Sequence, residues 1–320
     1  MSDRGARADV TPDRLDRRAV RRHFAAASAS YDGAAQLQST VRAELLARAA
    51  QLFHPTTATP CIVDLGAGTG AALPELANGW PSATLIAVDF AEPMLRRARA
   101  IYAARAGWLG WWDRQRGRCR FAALCGDVHA LPLADASVDF VFCNLLLQWA
   151  SDLDRALLEI RRVLRPNGLL LLSSFGPDTL RELRAAWQAA DTRPHVSTFV
   201  DMHDLGDALG RAGFVEPVLD VDRLQTHFDN VHALLRQLQA LGARNATLGR
   251  ASGLTGRQRF ATMLAAYERY RDATGRLPAS WEVIYASAFA GDAPRTGGRS
   301  HGEFTIAAAE LAERLRRTRS

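Results

Sequence analysis

Two carboxylates and a cluster of glycines between them carry the chemistry that is legible in this chain. The run Asp64-Leu65-Gly66-Ala67-Gly68-Thr69-Gly70 closes the apolar stretch Cys61-Ile62-Val63. It reads as a buried strand that turns through glycines into a helix from about Ala71. Glycines allow a sharp turn and a close approach of backbone to ligand, and the following helix N-terminus offers N–H groups. A second strand, Thr84–Asp89, ends in Asp89, at the distance downstream where a carboxylate takes ribose hydroxyls. The pairing marks a nucleoside-containing cofactor.

The glycines do not choose the nucleoside. Gly66, Gly68 and Ala71 also satisfy the G-x-G-x-x-G/A pattern of dinucleotide enzymes, so a nucleotide oxidoreductase is an alternative on these residues alone. Three further features favour S-adenosyl-L-methionine. Asp64 stands two residues before the first glycine, where a carboxylate can face the ammonium and sulfonium end of a cationic ligand. Gly126-Asp127-Val128 is similar to a third-strand end whose acid receives an adenine amino group. The apolar stretch 138–143 ends at Asn144, beside the expected methyl donor. Together these residues resemble the motifs of the class I methyltransferases.

The elements that must position these groups follow from periodicity. Strands are expected at Cys61–Leu65, Thr84–Asp89, 120–125, 138–143 and 168–175, with helices at 92–104 and 153–164 between them. Arg165-Pro166-Asn167-Gly168 should turn the chain into the fifth strand. Such alternation implies an α/β, doubly wound parallel sheet with its ligands at the strand carboxyl ends. Residues 1–18 read as a disordered arm, 19–58 as a helical lid broken around Tyr31-Asp32-Gly33, and 59–175 as the cofactor core. Residues 176–290 follow with helices at 178–190, 202–212, 231–241 and 257–270, a strand at 217–221 and an apolar segment at 281–290. A helical insertion before the last strand would cover the substrate opening. Residues 291–320 read as a linker and a terminal helix, 307–317.

Composition narrows the class. The chain has 320 residues, enough for a large core, and 40 Lys and Arg against 34 Asp and Glu. No apolar run reaches the ~20 residues that span a membrane, and residues 1–22 lack a signal-peptide core, so the cytoplasm is the expected location. The positive excess suits an acidic partner, although arginine used as a plain solvated cation accounts for it equally. No nucleic-acid signature accompanies the charge. Cys61, Cys119, Cys125 and Cys143 have no metal-ligand spacing and read as buried free thiols. Arg161, Arg162 and Arg165 read as solvated surface. Between the second helix and third strand, Trp108, Trp111 and Trp112 stand among arginines. They suit either a carrier-protein or membrane-surface contact, or an extended helix covering the rim of the sheet.

Blocks outside the cofactor motifs are more specific. Phe24-Ala25-Ala26-Ala27-Ser28-Ala29-Ser30-Tyr31-Asp32, Asn144-Leu145-Leu146-Leu147-Gln148-Trp149, Phe175-Gly176-Pro177-Asp178-Thr179-Leu180, Asp201-Met202-His203-Asp204-Leu205, Leu241-Gly242-Ala243-Arg244-Asn245 and Gly275-Arg276-Leu277-Pro278-Ala279-Ser280-Trp281 follow in order over roughly residues 19–290. This succession resembles the malonyl-acyl carrier protein O-methyltransferases of biotin synthesis. The resemblance implies methylation of the free carboxyl of a malonyl thioester on its carrier protein, which removes a charge that would be costly to bury in apolar elongation sites. A malonyl carboxylate is already ionised at neutral pH, so no general base is needed and no residue is assigned to proton transfer. His203, beside Asp201 and Asp204, reads as structural.

Site residues follow from position and resemblance together. Asp64, Gly66, Gly68 and Gly70 are expected at the methionine and ribose portions, Asp89 at the ribose, Asp127 and Val128 at the adenine, with Met94 packed on it. Asn144 is expected beside the cofactor, and with Gln148 near the substrate carboxylate. Tyr31 would close over the site from the lid, and Trp149 and Phe199 would wall the acyl arm. No metal is expected. Two alternative functions share part of this pattern: a protein-modifying assembly factor of respiratory complex I, to which the Leu277-Pro278-Ala279 block is similar, and a quinone-type C-methyltransferase.

Overall fold

The computed structural model of the protein describes residues 15–115, 121–243 and 256–291, the side chains of 105–115 apart. Residues 1–14 of the expected arm, Cys119, the tryptophan side chains of the 108–112 segment, Arg244-Asn245 and the expected 307–317 helix lie outside the described residues.

Three helices precede the sheet: α1 (Arg17–Ala27), α2 (Tyr31–Ala34) and α3 (Gln36–Leu52). Asp16 caps α1 by accepting the Ala19 N–H, so the helix starts inside the stretch expected to be disordered. The break falls on either side of Tyr31-Asp32-Gly33, which form a helical turn of their own. The sheet then alternates β1 (Cys61–Leu65), α4 (Leu73–Gly79), β2 (Thr84–Asp89), α5 (Glu92–Gln115), β3 (Phe121–Cys125), β4 (Val138–Asn144), α6 (Leu153–Val163) and β5 (Leu164–Phe175). Helix α5 runs through the tryptophan segment, well past the expected end at 104. After it come α7 (Arg181–Gln188), α8 (Met202–Arg211), β6 (Phe214–Phe228), α9 (Val231–Ala240), α10 (Arg257–Tyr267) and β7 (Leu277–Ala290). The α9–α10 pair is the insertion before the last strand.

Strand order is β3-β2-β1-β4-β5-β7-β6. The first five strands are parallel, whereas β7 runs antiparallel between β5 and β6, so the sheet is mixed rather than wholly parallel. Order reverses between β1 and β4, which places the ligand crevice at their carboxyl ends. The apolar strands are buried on both faces because helices cover both. Ile62, Phe140, Phe142, Leu169 and Leu171 pack on the face of α3, α7 and α9, and Val63, Val141, Cys143, Leu170 and Leu172 on the face of α6 and α8. β6 is three times the expected length; its bulge at Val215–Val218 accommodates Pro217, and the rest alternates polar residues along an exposed edge. Pro166-Asn167-Gly168 do not separate helix from strand. They form an irregularity inside β5, with Asn167 at φ +62°, a left-handed conformation that Asn tolerates.

Two readings of the surface need correction. Of the described cysteines only Cys143 is buried; Cys125, at the carboxyl end of the edge strand β3, is exposed. Arg161 is not solvated: it is 7 % exposed and its guanidinium donates to the carbonyls of Gly213 and Gly291, tying the last turn of α6 to the start of β6 and the end of β7. Arg162 and Arg165 are likewise spent, on Glu159 and Asp135 and on Asp139. Among the described residues no helix is long and apolar enough to cross a membrane.

Arg161→Ala should therefore destabilise the fold by about 2–3 kcal/mol, the scale for removing a charged donor from buried carbonyls. Urea denaturation measures it. A loss under about 0.5 kcal/mol, typical of solvated positions, would contradict this role.

Candidate cofactor and substrate site

The glycine turn after β1 is held by backbone first. Gly66 and Ala67 donate to the Val88 carbonyl at 2.8 and 3.1 Å, fastening the loop to β2. Gly66, Gly68 and Gly70 all have positive φ. A Cβ on Gly68 would project into open space, the condition for a ligand to lie against the backbone, whereas one on Gly70 would strike the Ala98 Cα at 2.7 Å. Gly70 is thus a packing glycine that seats the loop on α5; it lines neither of the hollows described below. Met94 is similarly taken up by the core, 1 % exposed and away from both hollows.

Two buried carboxylates face this turn. Asp89 accepts the Gly68 N–H at 2.9 Å and the Ala91 N–H at 2.8 Å, and so braces the loop against the start of α5. Burial raises its pKa, and the backbone donors counter part of that rise. Asp64 has no such help. It is 4 % exposed, its Oδ2 has no partner, and burial followed by the nearby Asp89 charge pushes it to about 7.

Two hollows meet at Gly66. One is lined by Val20, Leu65, Val88, Val128, Leu146 and Trp149 together with Asp89 and Asp127. The other is lined by Asp64, Gly68 and Asn144 of the sheet and its glycine turn and by Tyr31, Gln38 and Arg42 of the lid. An apolar slot with a carboxylate at each end suits an adenosine, and the second hollow suits an α-amino acid. Three buried atoms in the second hollow lack partners: Gln38 Oε1, Arg42 Nε and Asp64 Oδ2. Two acceptors and a cationic donor complement an ammonium and a carboxylate, and buried polar atoms are rarely left unmet. The residues present therefore fit S-adenosylmethionine, which supplies an electrophilic methyl group when bound.

Several expected residues take other partners. Asn144 donates to the Gln38 carbonyl at 3.4 Å and accepts from Ser173 Oγ at 2.9 Å, so its amide clamps α3 to the sheet while its side chain lines the hollow. Trp149 borders the first hollow and packs edge-on against Phe24 of α1 at 5.2 Å. Asp127 accepts from the backbone and Nδ1 of His129 and pairs with Arg17. His129 Nε2 accepts the Asp152 N–H, which places a proton on Nδ1 facing Asp127, and burial and Arg17 lower its pKa. Gln148 and Phe199 line a third, larger hollow of about 690 Å³, where Gln148 donates to the Leu145 carbonyl at 2.7 Å. Tyr31 is half-buried, and burial with the Asp89 charge pushes its phenol up to about 12, so it stays a donor. His203 is exposed on the first turn of α8.

Residues without a sequence motif complete the site. Asp32 accepts from Thr69 Oγ1 at 2.6 Å and from Arg97 at 3.0 Å, fixing the lid to the glycine loop and to α5. Arg42, Gln38 and His129 carry no local signature; only the fold brings them to the crevice.

Asp64 predicts a pH dependence. A cofactor ammonium needs the carboxylate, so affinity should fall by up to about tenfold per pH unit below about 7. It should be flat above that until the ligand's own α-amino group deprotonates near pH ~8. Because the folded pKa lies above the unfolded 3.8, the ligand-free protein holds an extra proton between these values, and its stability should fall as pH rises through that window. Asp64→Asn should bind weakly, flatten the affinity profile and remove the stability drop. Calorimetric titrations and thermal melts across pH 5–8 check both.

A family model described as "Methyltransferase domain" matches residues 63–172. The fold is similar to that of the YcgJ protein from Bacillus subtilis, with a TM-score of 0.53 at 16% identity, over 78% of this chain and 99% of that one. Similarity in sequence reaches further. A protein of Xylella fastidiosa (strain M23) named malonyl-[acyl-carrier protein] O-methyltransferase is 47% identical over 271 residues, 85% of this chain and 87% of its own. One of the same name from Gallionella capsiferriformans (strain ES-2) is 41% identical over 275 residues, 86% of this chain and 91% of its own. With a cofactor crevice that suits S-adenosylmethionine and a match that runs on through the helices after it, the chain belongs to the malonyl-[acyl-carrier protein] O-methyltransferase family of class I methyltransferases.

Proposed function

We propose that the protein transfers a methyl group from S-adenosylmethionine to the free carboxyl of malonyl-acyl carrier protein, in the cytoplasm, and so makes the ester-masked primer for the pimeloyl chain of biotin. One observation carries the reading: similarity to a malonyl-carrier methyltransferase extends over 271 residues, 85% of the chain, far more than the 110 residues, 63–172, matched by the general methyltransferase model.

The chain's own residues have little acid–base work in this reaction. The acceptor carboxylate is already ionised. One of its oxygens forms the new bond to the methyl carbon as the carbon–sulfur bond breaks, and the electron pair stays on sulfur. What the protein supplies is alignment of oxygen, carbon and sulfur, and exclusion of water. Arg42 would orient the methionine carboxylate, Asp64 and Gln38 its ammonium, and Asp89 the ribose. Tyr31, a neutral phenol at neutral pH, would donate to the acceptor carboxylate without competing for its charge. The hollow of about 690 Å³ beside Gln148 and Phe199 has room for the acyl arm.

Malonyl-carrier protein should gain one methyl group as an alkali-labile ester, and acetyl-carrier protein none, because it lacks the nucleophile. Mass spectrometry of both decides it: equal labelling, or none of either, would exclude this function. Tyr31→Phe should lower kcat/KM by roughly ten- to a hundredfold, the worth of a hydrogen bond to a charged group, with the cofactor Kd little changed. An unaltered kcat/KM would remove Tyr31 from the substrate site.

A further inference from the structure

Helix α1 carries arginine at Arg17, Arg18, Arg21 and Arg22, all four exposed. Arg17 is paired with Asp127 across the mouth of the adenosine slot. Arg18, Arg21 and Arg22 form no ion pair with any described residue. Arginines elsewhere are mostly spent: Arg48, Arg97, Arg99, Arg162 and Arg211 each meet a carboxylate within 3.0 Å. A guanidinium beside a carboxylate projects little field, whereas three unpaired ones within two helical turns add. The charge at α1 therefore is not the chain's general excess of arginine but a local patch.

The patch is fixed in place and stands at the openings. Between its arginines, Ala19 and Val20 are buried, with Phe24, Phe90 and Trp149 packed against them, so α1 is anchored to the rims that follow β2 and β4. Leu15 and Arg17, at its start, border the large hollow of Gln148 and Phe199. Arg18 and Arg21 border a depression on the outer side, with Phe90 and Asp127. An acyl group delivered on an arm must enter from outside, and the body that carries it must halt at the mouth. Exposed charges farther than about 8 Å apart are largely screened at physiological salt, so only cations at that mouth can hold it.

We propose that the outer face of α1, through Arg18, Arg21 and Arg22, is the docking surface for the acidic helix of the carrier protein beside the attachment point of its phosphorylated arm. This rests on the carrier-borne substrate proposed above, but its test does not depend on turnover. The probe is the carrier protein bearing its arm without an acyl group, titrated against the full-length enzyme at low salt.

Arg18→Glu combined with Arg21→Glu should weaken that binding at least tenfold and erase most of its salt dependence. In turnover assays the same pair should raise KM for the malonyl carrier by a similar factor. Both kcat and the KM of a short neutral malonyl thioester should stay within twofold. Arg257→Glu combined with Arg269→Glu, which makes the same charge change on residues that border none of the three hollows, is the control. Carrier binding unchanged in the α1 pair, or weakened equally in the control pair, would overturn the assignment. So would a parallel loss on the small thioester, which would make these arginines part of the fold of the lid. A wild-type enzyme that binds the carrier with this dependence, yet leaves its malonyl group unmethylated, would support the docking surface and refute the proposed reaction.

Discussion

Two carboxylates buried side by side at the end of a parallel sheet cannot both be ionised without a cation between or beside them. That constraint organises the crevice. Asp89 accepts from two backbone donors, Gly68 and Ala91, which counter part of the rise that burial causes in its pKa and fix the shape of the glycine turn and the start of α5. Asp64 receives nothing comparable, and its pKa rises to about 7. The ligand-free protein thus keeps a carboxylate out of its preferred state until an ammonium arrives. A cationic amino-acid cofactor relieves this; a dinucleotide, whose pyrophosphate would bring two more negative charges to the same loop, would worsen it. The glycine spacing shared by both classes is decided by Asp64, not by the glycines.

Everything placed above the crevice serves to keep that pair out of water. Helix α3 brings Gln38 and Arg42 over the methionine end, and α2 is pinned by Asp32 to Thr69 and Arg97. At the adenosine end α1 lies across Phe90 and Trp149. The lid is therefore tied to the loop it covers at both ends of the ligand, by polar contacts at one and apolar contacts at the other. In a closed, dry crevice a neutral phenol at Tyr31 and a neutral His129 are cheaper than charged alternatives. Burial favours both states.

The sequence was most legible where local pattern and tertiary role coincide. β1 and β2 were readable to the residue because an apolar run ends in a carboxylate and a turn, and the parallel core buries both faces. It was least legible where distant segments meet. Arg161 sits at the solvent-facing phase of an amphipathic helix, and nothing local announces that the carbonyls of Gly213 and Gly291 close over it. Trp149 follows β4, and nothing local announces that Phe24 of α1 packs edge-on against it. Gly70 shares its motif with Gly68, but one φ-positive glycine faces open space and its neighbour faces Ala98. The second half of the sheet was underread for another reason: β6 alternates polar residues along an exposed edge, and β7's apolar run does not encode its direction.

Helix α1 shows how one short segment can couple both halves of the reaction. Its apolar phase, Ala19, Val20 and Phe24, packs with Phe90 and Trp149, while Arg17 borders the hollow of Gln148 and Phe199 and Arg18 and Arg21 border the depression on the outer side. The two phases belong to one rigid element capped by Asp16. A contact that holds the outer face in place must then also hold the inner face down on Phe90 and Trp149. A displacement without acid–base assistance depends on alignment and on exclusion of water, and a helix whose apolar phase covers the crevice serves the second of these.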